Sequence, residues 1–482
     1  MSSEFPVNKK QRTMEDKTKM TEKTTGQVGE LDAQALNRFS RQNAALGAET
    51  TAKLIKTKVL LYGLRGVGVE VAKNLLLQGV GGLTVIDSRP TLAKDVGVNF
   101  FLTEEDAERK VPRADAVAPR LRELNPMCSV VVAASLSEEV ISMHSALVIA
   151  DNAMPRAELE RLNLICRSRN ISFFYNFTGG LSTSIFVDHG DNHVVTDKDG
   201  ERPMQKILTG ITRVQGGDNE VLLRYDTPEG QKLDTIDSGH FELSGVQGLS
   251  ELNGTILEMS HPHGDPVKTC RAKLAGRAAA VDVSAYAGGG VLTEKKMPAP
   301  FGMSPLADKI KSPGNPFMGD LVLTDLLNFG SELQQHAALV GLWAFAAAND
   351  GRLPRLHDTE DAAAVVEAAK AELSSGALAM DDFELDEAQC TRFAMTASVE
   401  LQPLSAFTGG VLAQEVVKLT GKFTPIPGWL HFTAAEARPT ETPADFSPRD
   451  TRYDELAAVY GWPFVEKLGA LQYFMVGCGA LG

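Results

Sequence analysis

The chain has 482 residues, a formal net charge of −14 and an apolar share of 43%. That length suits about three domains with packed cores, and the acidic balance excludes a protein that coats nucleic acid or an anionic membrane by bulk charge. Its five cysteines, Cys128, Cys166, Cys270, Cys390 and Cys478, are widely spaced without a C-x-x-C pair, so neither a disulfide framework nor a zinc site is expected and a reducing compartment is the default. The longest apolar run, Ala337 to Ala348, is too short to span a bilayer.

In chain order, residues 1–30 carry few apolar anchors and read as a disordered tail. Leu31 to Leu54 predicts two helical pieces around Gly47, with Arg41 in the segment FSRQ. Lys58 to Asn74, KVLLYGLRGVGVEVAKN, runs from an apolar strand through a glycine loop into a helix, the opening of a nucleotide-binding βαβ unit. A second strand, Leu83 to Ile86, ends on Asp87, near the place of an acidic ribose partner. The loop itself departs from a working one, because Gly63, Gly66 and Gly68 flank Arg65 where a glycine should let backbone amides touch a pyrophosphate. Asp87 is therefore read as a strand-end acid with a local structural role.

Strands at Ser129 to Ala134, Ala146 to Ala150 and Ser172 to Tyr175 alternate with helices, which predicts a mostly parallel sheet covered on both faces. From Asp188 to about Cys270, short alternating runs such as Glu220 to Tyr225 and Thr255 to Met259 between glycine turns predict a small β-barrel insertion. A proline-bearing passage leads to helices at about Ser331 to Asn349 and from the Asp358 and Thr359 caps to Gly376, read as a helical insertion. Helix and strand signals return through Phe407 to Leu419 and Trp429 to Phe432, completing the sheet. The expected boundaries are 1–30, 31–187, 188–275, 276–376, 377–438 and 439–482. The final segment repeats the opening: Phe39 to Gly68 lies over Tyr453 to Gly482 without a gap (453 − 39 = 414, 482 − 68 = 414), and QYFMVGCGALG ends in the glycines Gly477, Gly479 and Gly482. With one strand and one helical piece, residues 453–482 are expected to find little to pack against except the first repeat, and not to be stably folded.

FSRQ at Phe39 to Gln42, GLRGVGVEVAKN at Gly63 to Asn74, VQGLSELNG at Val246 to Gly254, LSAFTGGVLAQEVVKLTGKFTPI at Leu404 to Ile426 and the terminal VGCGALG carry a resemblance. The chain resembles the amino-terminal half of a eukaryotic ubiquitin-activating enzyme, from about Leu31 to Gly482. The resemblance implies an α/β, Rossmann-like adenylation domain of the ThiF type, interrupted by a β-barrel insertion (the first catalytic-cysteine half-domain) and a four-helix bundle, then the start of a second, active repeat. It implies ATP and Mg2+ as cofactors, bound mainly by that second repeat. Ubiquitin and ubiquitin-conjugating enzymes are the implied partners, with no nucleic acid or membrane, in the cytoplasm and nucleus. The full-length protein is implied to be a monomer with an internal pseudo-dimer. Arg41 is implied to reach the terminal phosphates of ATP across the repeats, while Gly477, Gly479, Ala480 and Gly482 form the phosphate loop. No catalytic residue is expected within the chain, since the family's nucleophilic cysteine matches none of its five. His261 and His263, without a third ligand, read as a turn. Two other readings stay open: a non-catalytic subunit partnering a separate activator chain, and a nicotinamide-dependent oxidoreductase, against which Arg65 counts.

Overall fold

The computed structural model describes residues 38–217, 219–228, 235–315, 319–324, 329–380 and 382–477; the tail expected over 1–30 lies outside them. Contacts divide the chain into two units, Val194–Phe301 with Gly421–Thr424, and the remainder.

The larger unit begins with α1 (Ser40–Leu46) and α2 (Ala48–Lys56), separated where Gly47 takes φ 88°. β1 (Lys58–Tyr62), α3 (Gly66–Gln78) and β2 (Gly82–Ile86) realise the strand-loop-helix-strand pattern, followed by α4 (Arg113–Leu124), β3 (Ser129–Val132), β4 (Ala146–Ile149), α5 (Arg156–Ser168) and β5 (Ser172–Gly179). These five strands run parallel, in the order β5-β4-β1-β2-β3, with Leu60 opposite Thr84 on one side and Leu147 on the other. Val59, Leu60 and Leu61 are wholly buried, as a central parallel strand covered on both faces requires. The parallel run ends at β5. β5 turns back through Gly180, at φ 57°, and Leu181 into β6 (Ser182–Asp188), which pairs antiparallel with it.

The smaller unit is a closed barrel of β7 (Gln205–Arg213), β8 (Glu220–Asp226), β9 (Ser238–Ser244), β10 (Ile256–Ser260), β11 (Thr269–Lys273) and β12 (Val291–Glu294), in the order β9-β10-β11-β8-β7-β12. Alternate residues, among them Val221, Leu223, Phe241, Leu257, Met259 and Leu292, fill its interior. The barrel extends past the expected boundary at 275, because β12 bridges β9 and β7 and closes it. The chain between 275 and 291 has no strand pattern, which hides from local sequence the last strand of the barrel.

Back in the larger unit, α6 (Ser331–Ala348) and α7 (Thr359–Ser374) match the expected helices, and the Asp358 carboxylate accepts the Asp361 N–H as the N-cap. They pack with α8 (Glu387–Met395), so the helical layer runs on beyond residue 376. Trp343, Val365 and Phe393 from these helices share one core with Leu147, Phe173 and Phe186 of the sheet. No helix among the described residues is long and apolar enough to cross a membrane. α9 (Gln402–Val417) lies against α3, and β13 (Trp429–Thr433) pairs antiparallel with β6 to end a seven-stranded sheet.

α10 (Asp454–Tyr460) and α11 (Trp462–Gly469) close the ordered elements. α10 reproduces the bounds of α1 at the offset of 414 (454 − 40, 460 − 46), α11 starts where α2 does (462 − 48), and the intervening glycines agree: Gly461 has φ 80°, ψ 158° and Gly47 has φ 88°, ψ 152°. The first repeat is the one surface expected to be open to this segment, and α10 packs on it. Ala457, Ala458, Val459 and Trp462 are buried, and Ala458 and Val459 cluster with Val399 and Leu401. Residues 471–477 form no strand, and Tyr473, Phe474 and Val476 are at least 80% exposed.

Candidate functional site

The glycine loop between β1 and α3 is where a nucleotide-binding βαβ unit holds phosphate, so its local chemistry decides what the first repeat can do. Gly63 has φ 94°, and a Cβ there would lie 2.3 Å from Ala150 O; a Cβ on Gly68 would lie 2.0 Å from Gly63 O. Both glycines are thus required by backbone packing alone, which preserves the loop's shape whether or not it binds anything.

The anion position at the helix end is taken by the protein's own carboxylate. Val67 N–H, at the start of α3, donates to Glu400 Oε1 at 2.7 Å, and Ser405 Oγ donates to the same oxygen at 3.2 Å. This is the place where free amides and the helix dipole would otherwise attract a phosphate. Arg65 closes the remainder. Its Nε lies 2.9 Å from Asp95 Oδ1, its Nη2 2.6 Å from Glu455 Oε1 and its Nη1 3.5 Å from Glu400 Oε2. Burial works against its charge, but Glu455, Glu400 and Asp95 hold the guanidinium still more firmly protonated. Lys94 adds a second cation to Glu455 at 3.1 Å.

Asp87 is equally committed. Leu64 N–H donates to its Oδ2 at 2.9 Å, Arg113 Nε contacts the same oxygen at 2.9 Å, and Arg113 Nη1 goes on to Asp95 Oδ2 at 3.2 Å. Burial pushes the Asp87 carboxyl up, but the Arg113 guanidinium and its hydrogen bonds hold it below the usual carboxylate range. The local structural role expected for this acid is the one it has. Between Arg65, Arg89, Asp151 and Glu400 there remains a cavity of about 110 Å³, well short of the roughly 300 Å³ at which ligand pockets begin. The groups with which the first loop would hold a nucleotide are thus committed within the protein: its phosphate amide is capped by Glu400 and its acid is paired with Arg113.

A family model for the ThiF family matches residues 39–452, most of the chain. The chain belongs to the ThiF family. It is 34% identical over 452 residues to ubiquitin-like modifier-activating enzyme 1 of Oryctolagus cuniculus, a match covering 92% of this chain and 40% of that protein. Ubiquitin-activating enzyme E1 1 of Schizosaccharomyces pombe is 32% identical, with 92% and 42% covered, and its namesake in Arabidopsis thaliana is 32% identical, with 92% and 39% covered. The chain spans about 40% of the length of these relatives.

Within this ThiF chain Arg41 stands apart from the closed loop. Its neighbours are anchored: Phe39 is buried with its ring against Gly79, and Gln42 Nε2 donates to Gln78 O at 2.8 Å at the end of α3. Arg41 itself is exposed on α1 and makes no ion pair with another described residue. Gly477 takes φ 89°, close to the 94° of Gly63 at the offset of 414, and a Cβ on it would meet nothing within 4 Å. Gly479, Ala480, Gly482 and Cys478 lie outside the described residues. Cys128, Cys166, Cys270 and Cys390 are buried, and desolvation pushes their thiols up, to about 11 for Cys128 and about 12 for the others. None of these four is an activated nucleophile. His261 Nδ1 hydrogen-bonds Thr269 O at 2.7 Å across its turn, and the described residues hold no group of three or more His, Cys, Asp or Glu arranged for a metal.

Sequence reasoning identified Arg65 as the residue that spoils the loop but missed its partners. Glu400 and Glu455 lie more than 300 residues further along the chain. Glu455 alone carried a signal, since it occupies the repeat position of Arg41.

Proposed function

We propose that this chain is the first part of an ATP-dependent ubiquitin-activating enzyme, with residues 31–187 and 377–438 forming a silent adenylation repeat and a second, ATP-holding repeat beginning at Tyr453. One observation carries the reading. Glu455 occupies the position of Arg41 shifted by 414 (455 − 41), on a helix with matching bounds, and it reaches the glycine loop of the first repeat to pair with Arg65 at 2.6 Å. Position 65 maps by the same offset onto Gly479. The reciprocal contact takes Arg41 to the loop of Gly477, Gly479, Ala480 and Gly482, where a glycine in place of Arg65 leaves room for phosphate. One loop carries the cation and receives an acid; the other carries bound anion and receives a cation.

A guanidinium suits that task because it stays charged and donates in a planar fork to phosphate oxygens as their charge develops. In this reading the carboxy-terminal carboxylate of ubiquitin would bond to the α-phosphorus of Mg2+-bound ATP as the bond to pyrophosphate breaks, giving the acyl adenylate and free pyrophosphate. The thiol that then takes the acyl group, and passes it to a conjugating enzyme, is none of the four buried cysteines. The setting of this chemistry is the cytoplasm and nucleus.

The test is single-turnover kinetics on the chain continued through its second repeat. Arg41→Ala should slow adenylate formation by about 2–4 kcal/mol, roughly thirty- to several-hundred-fold. Arg41→Lys should recover part of this, and thioester formation from preformed adenylate should be unaffected. An unchanged adenylation rate returns Arg41 to the helix surface. The 482-residue chain alone should show no ubiquitin-dependent ATP–pyrophosphate exchange; robust exchange would mean that the closed first loop is not silent.

A further inference from the structure

The linker that carries the chain into α10 presents a serine in an unusual setting. Serine or threonine precedes proline six times in the sequence, at Thr227, Ser304, Ser312, Thr424, Thr442 and Ser447. Only at Ser447–Pro448 are both residues exposed; in the other five pairs the proline is half-buried or buried. Asp445, Arg449 and Asp450 beside it are exposed as well, and residues 438–450 belong to no helix or strand. The Ser447 hydroxyl bonds no other described residue, although its carbonyl does. A following proline, with its φ fixed and no N–H to satisfy, marks the extended segments that proline-directed kinases take up.

The same segment holds α11 in place. Among the residues of α11, Trp462 alone is buried. Its N–H donates to Asp445 O at 2.9 Å, its indole Nε1–H donates to Ser447 O at 2.9 Å, and the Arg449 guanidinium lies over its ring, 4.1 Å from the centroid. Arg449 is kept there by Asp445 Oδ2 at 2.9 Å and by Glu466 Oε1, on α11 itself, at 3.8 Å. One cation thus serves a ring and two acids. A phosphate on Ser447 would add a charge of about −2 two residues from Arg449, at most roughly 7 Å along the backbone. It offers the guanidinium a stronger, forked partner than either carboxylate. Drawn to it, the guanidinium leaves Glu466 and the Trp462 ring, and α11 loses its clamp.

We infer that Ser447 is a phosphorylation site for a proline-directed protein kinase and that its phosphate loosens α11. In that step Ser447 Oγ bonds to the γ-phosphorus of ATP held by the kinase, the bond from that phosphorus to the oxygen bridging the β-phosphate breaks, ADP leaves, and the hydroxyl proton passes to the kinase's base. Because α11 leads into the stretch of Gly477, loosening it leaves the second glycine loop out of place in more of the molecules. That consequence rests on the reading of the second repeat above, whereas the site and the loosening do not.

The experiment treats the full 482-residue chain with a recombinant proline-directed serine/threonine kinase and Mg2+-bound ATP, locates phosphate by peptide mass spectrometry and follows amide exchange. Phosphate should appear at Ser447 and be absent from that position in Pro448→Ala, which keeps the hydroxyl and loses the ring. Amides of α11 should then exchange roughly three- to tenfold faster, the range for losing an exposed cation–π contact. Those of α10, fixed by Glu455 on Arg65 and by Ala458 and Val459 against Val399 and Leu401, should keep their protection. Arg449→Gln without phosphate should speed α11 to the same degree, and phosphorylating that variant should add little. A chain left without phosphate at Ser447 while a synthetic peptide of residues 441–453 is modified would overturn the site, as would refusal of the peptide itself. Phosphate at Ser447 with unchanged exchange in α11 would overturn the switch. None of these readouts uses Arg41 or adenylation, so failure here leaves the ubiquitin-activating reading standing, and failure of that reading leaves this one.

Discussion

Replacing Arg65 by Gln would leave Asp95, Glu400 and Glu455 facing one another with their shared cation gone. The side chains of Asp95, Glu400 and Glu455 are at most 7% exposed, so water screens little of the repulsion. Breaking such a buried cluster costs about 3–5 kcal/mol; urea unfolding of Arg65→Gln should show a loss of that order, and Arg65→Lys an intermediate one because an ammonium cannot reach three partners in a plane. A second buried group sets the acid limit. Ser184 O–H donates to His431 Nδ1, His431 Nε2–H to His336 Nδ1 at 3.1 Å, and His336 Nε2–H to Ile310 O at 2.9 Å. The chain is satisfied only with both rings neutral, since a proton on His336 Nδ1 would meet the donor of His431. Burial accordingly pushes His336 down to about 4 and His431 well below its ordinary value. Their folded values lie below the unfolded value of about 6.5, so this stability is complete above that pH. It should fall as the pH drops from about 6.5 toward 4, by up to about 1.4 kcal/mol per pH unit for each ring. Denaturation midpoints that stay level between pH 7 and 5 would contradict this. Asp87, held low by Arg113, loses its contribution only below the usual carboxylate range, so the two losses are separable.

At the scale of elements, the packing of α9 on α3 turns on one of two adjacent glycines. A Cβ on Gly409 would lie 2.4 Å from Glu70 Cβ and 3.1 Å from Val71 N, whereas one on Gly410 would meet nothing within 4 Å. Gly409→Val should force the helices apart and destabilise by about 1–3 kcal/mol, the range for overpacking. Gly410→Ala should be neutral or stabilising by about 0.5–1 kcal/mol, because alanine restricts the unfolded chain and favours helix. Thermal unfolding of the two variants reads the contrast directly, and equal effects would show that helix propensity rather than contact governs the pair. The periodic pattern of this helix was legible in sequence from Phe407 to Leu419. Which glycine touches α3 was not, since both stand side by side in the same motif.

At the scale of the whole molecule, the smaller unit is built from two separated pieces of chain, and one acid joins them. Asp197 receives Lys296 at 2.6 Å and Lys422 at 2.8 Å, while Thr196 N–H and Oγ1–H donate to Gly421 O at 2.7 and 3.0 Å. Burial opposes its charge, but the two lysines hold the Asp197 carboxyl far below the usual range; its contribution is present above about pH 4 and is lost as the pH falls further. Asp197→Asn should raise amide exchange at Thr196 and Phe423 and leave Leu223 and Phe241, inside the barrel, protected. Unchanged exchange at Thr196 would show that the backbone pairing alone holds the return of the chain. By itself the sequence determined the periodic features of this protein: the strand-loop-helix opening, the parallel strands, the barrel runs, the two long helices and the offset of 414. Each depends on the alternation of apolar and polar residues within a few turns or strands, or on a direct comparison of two segments. Only the tertiary structure decided what shares a space: Glu400 at the amide of Val67, Glu455 on Arg65, β12 closing the barrel, and β13 antiparallel to β6. These depend on charge and shape brought together across tens to hundreds of residues, where no local period registers them and burial determines their strength.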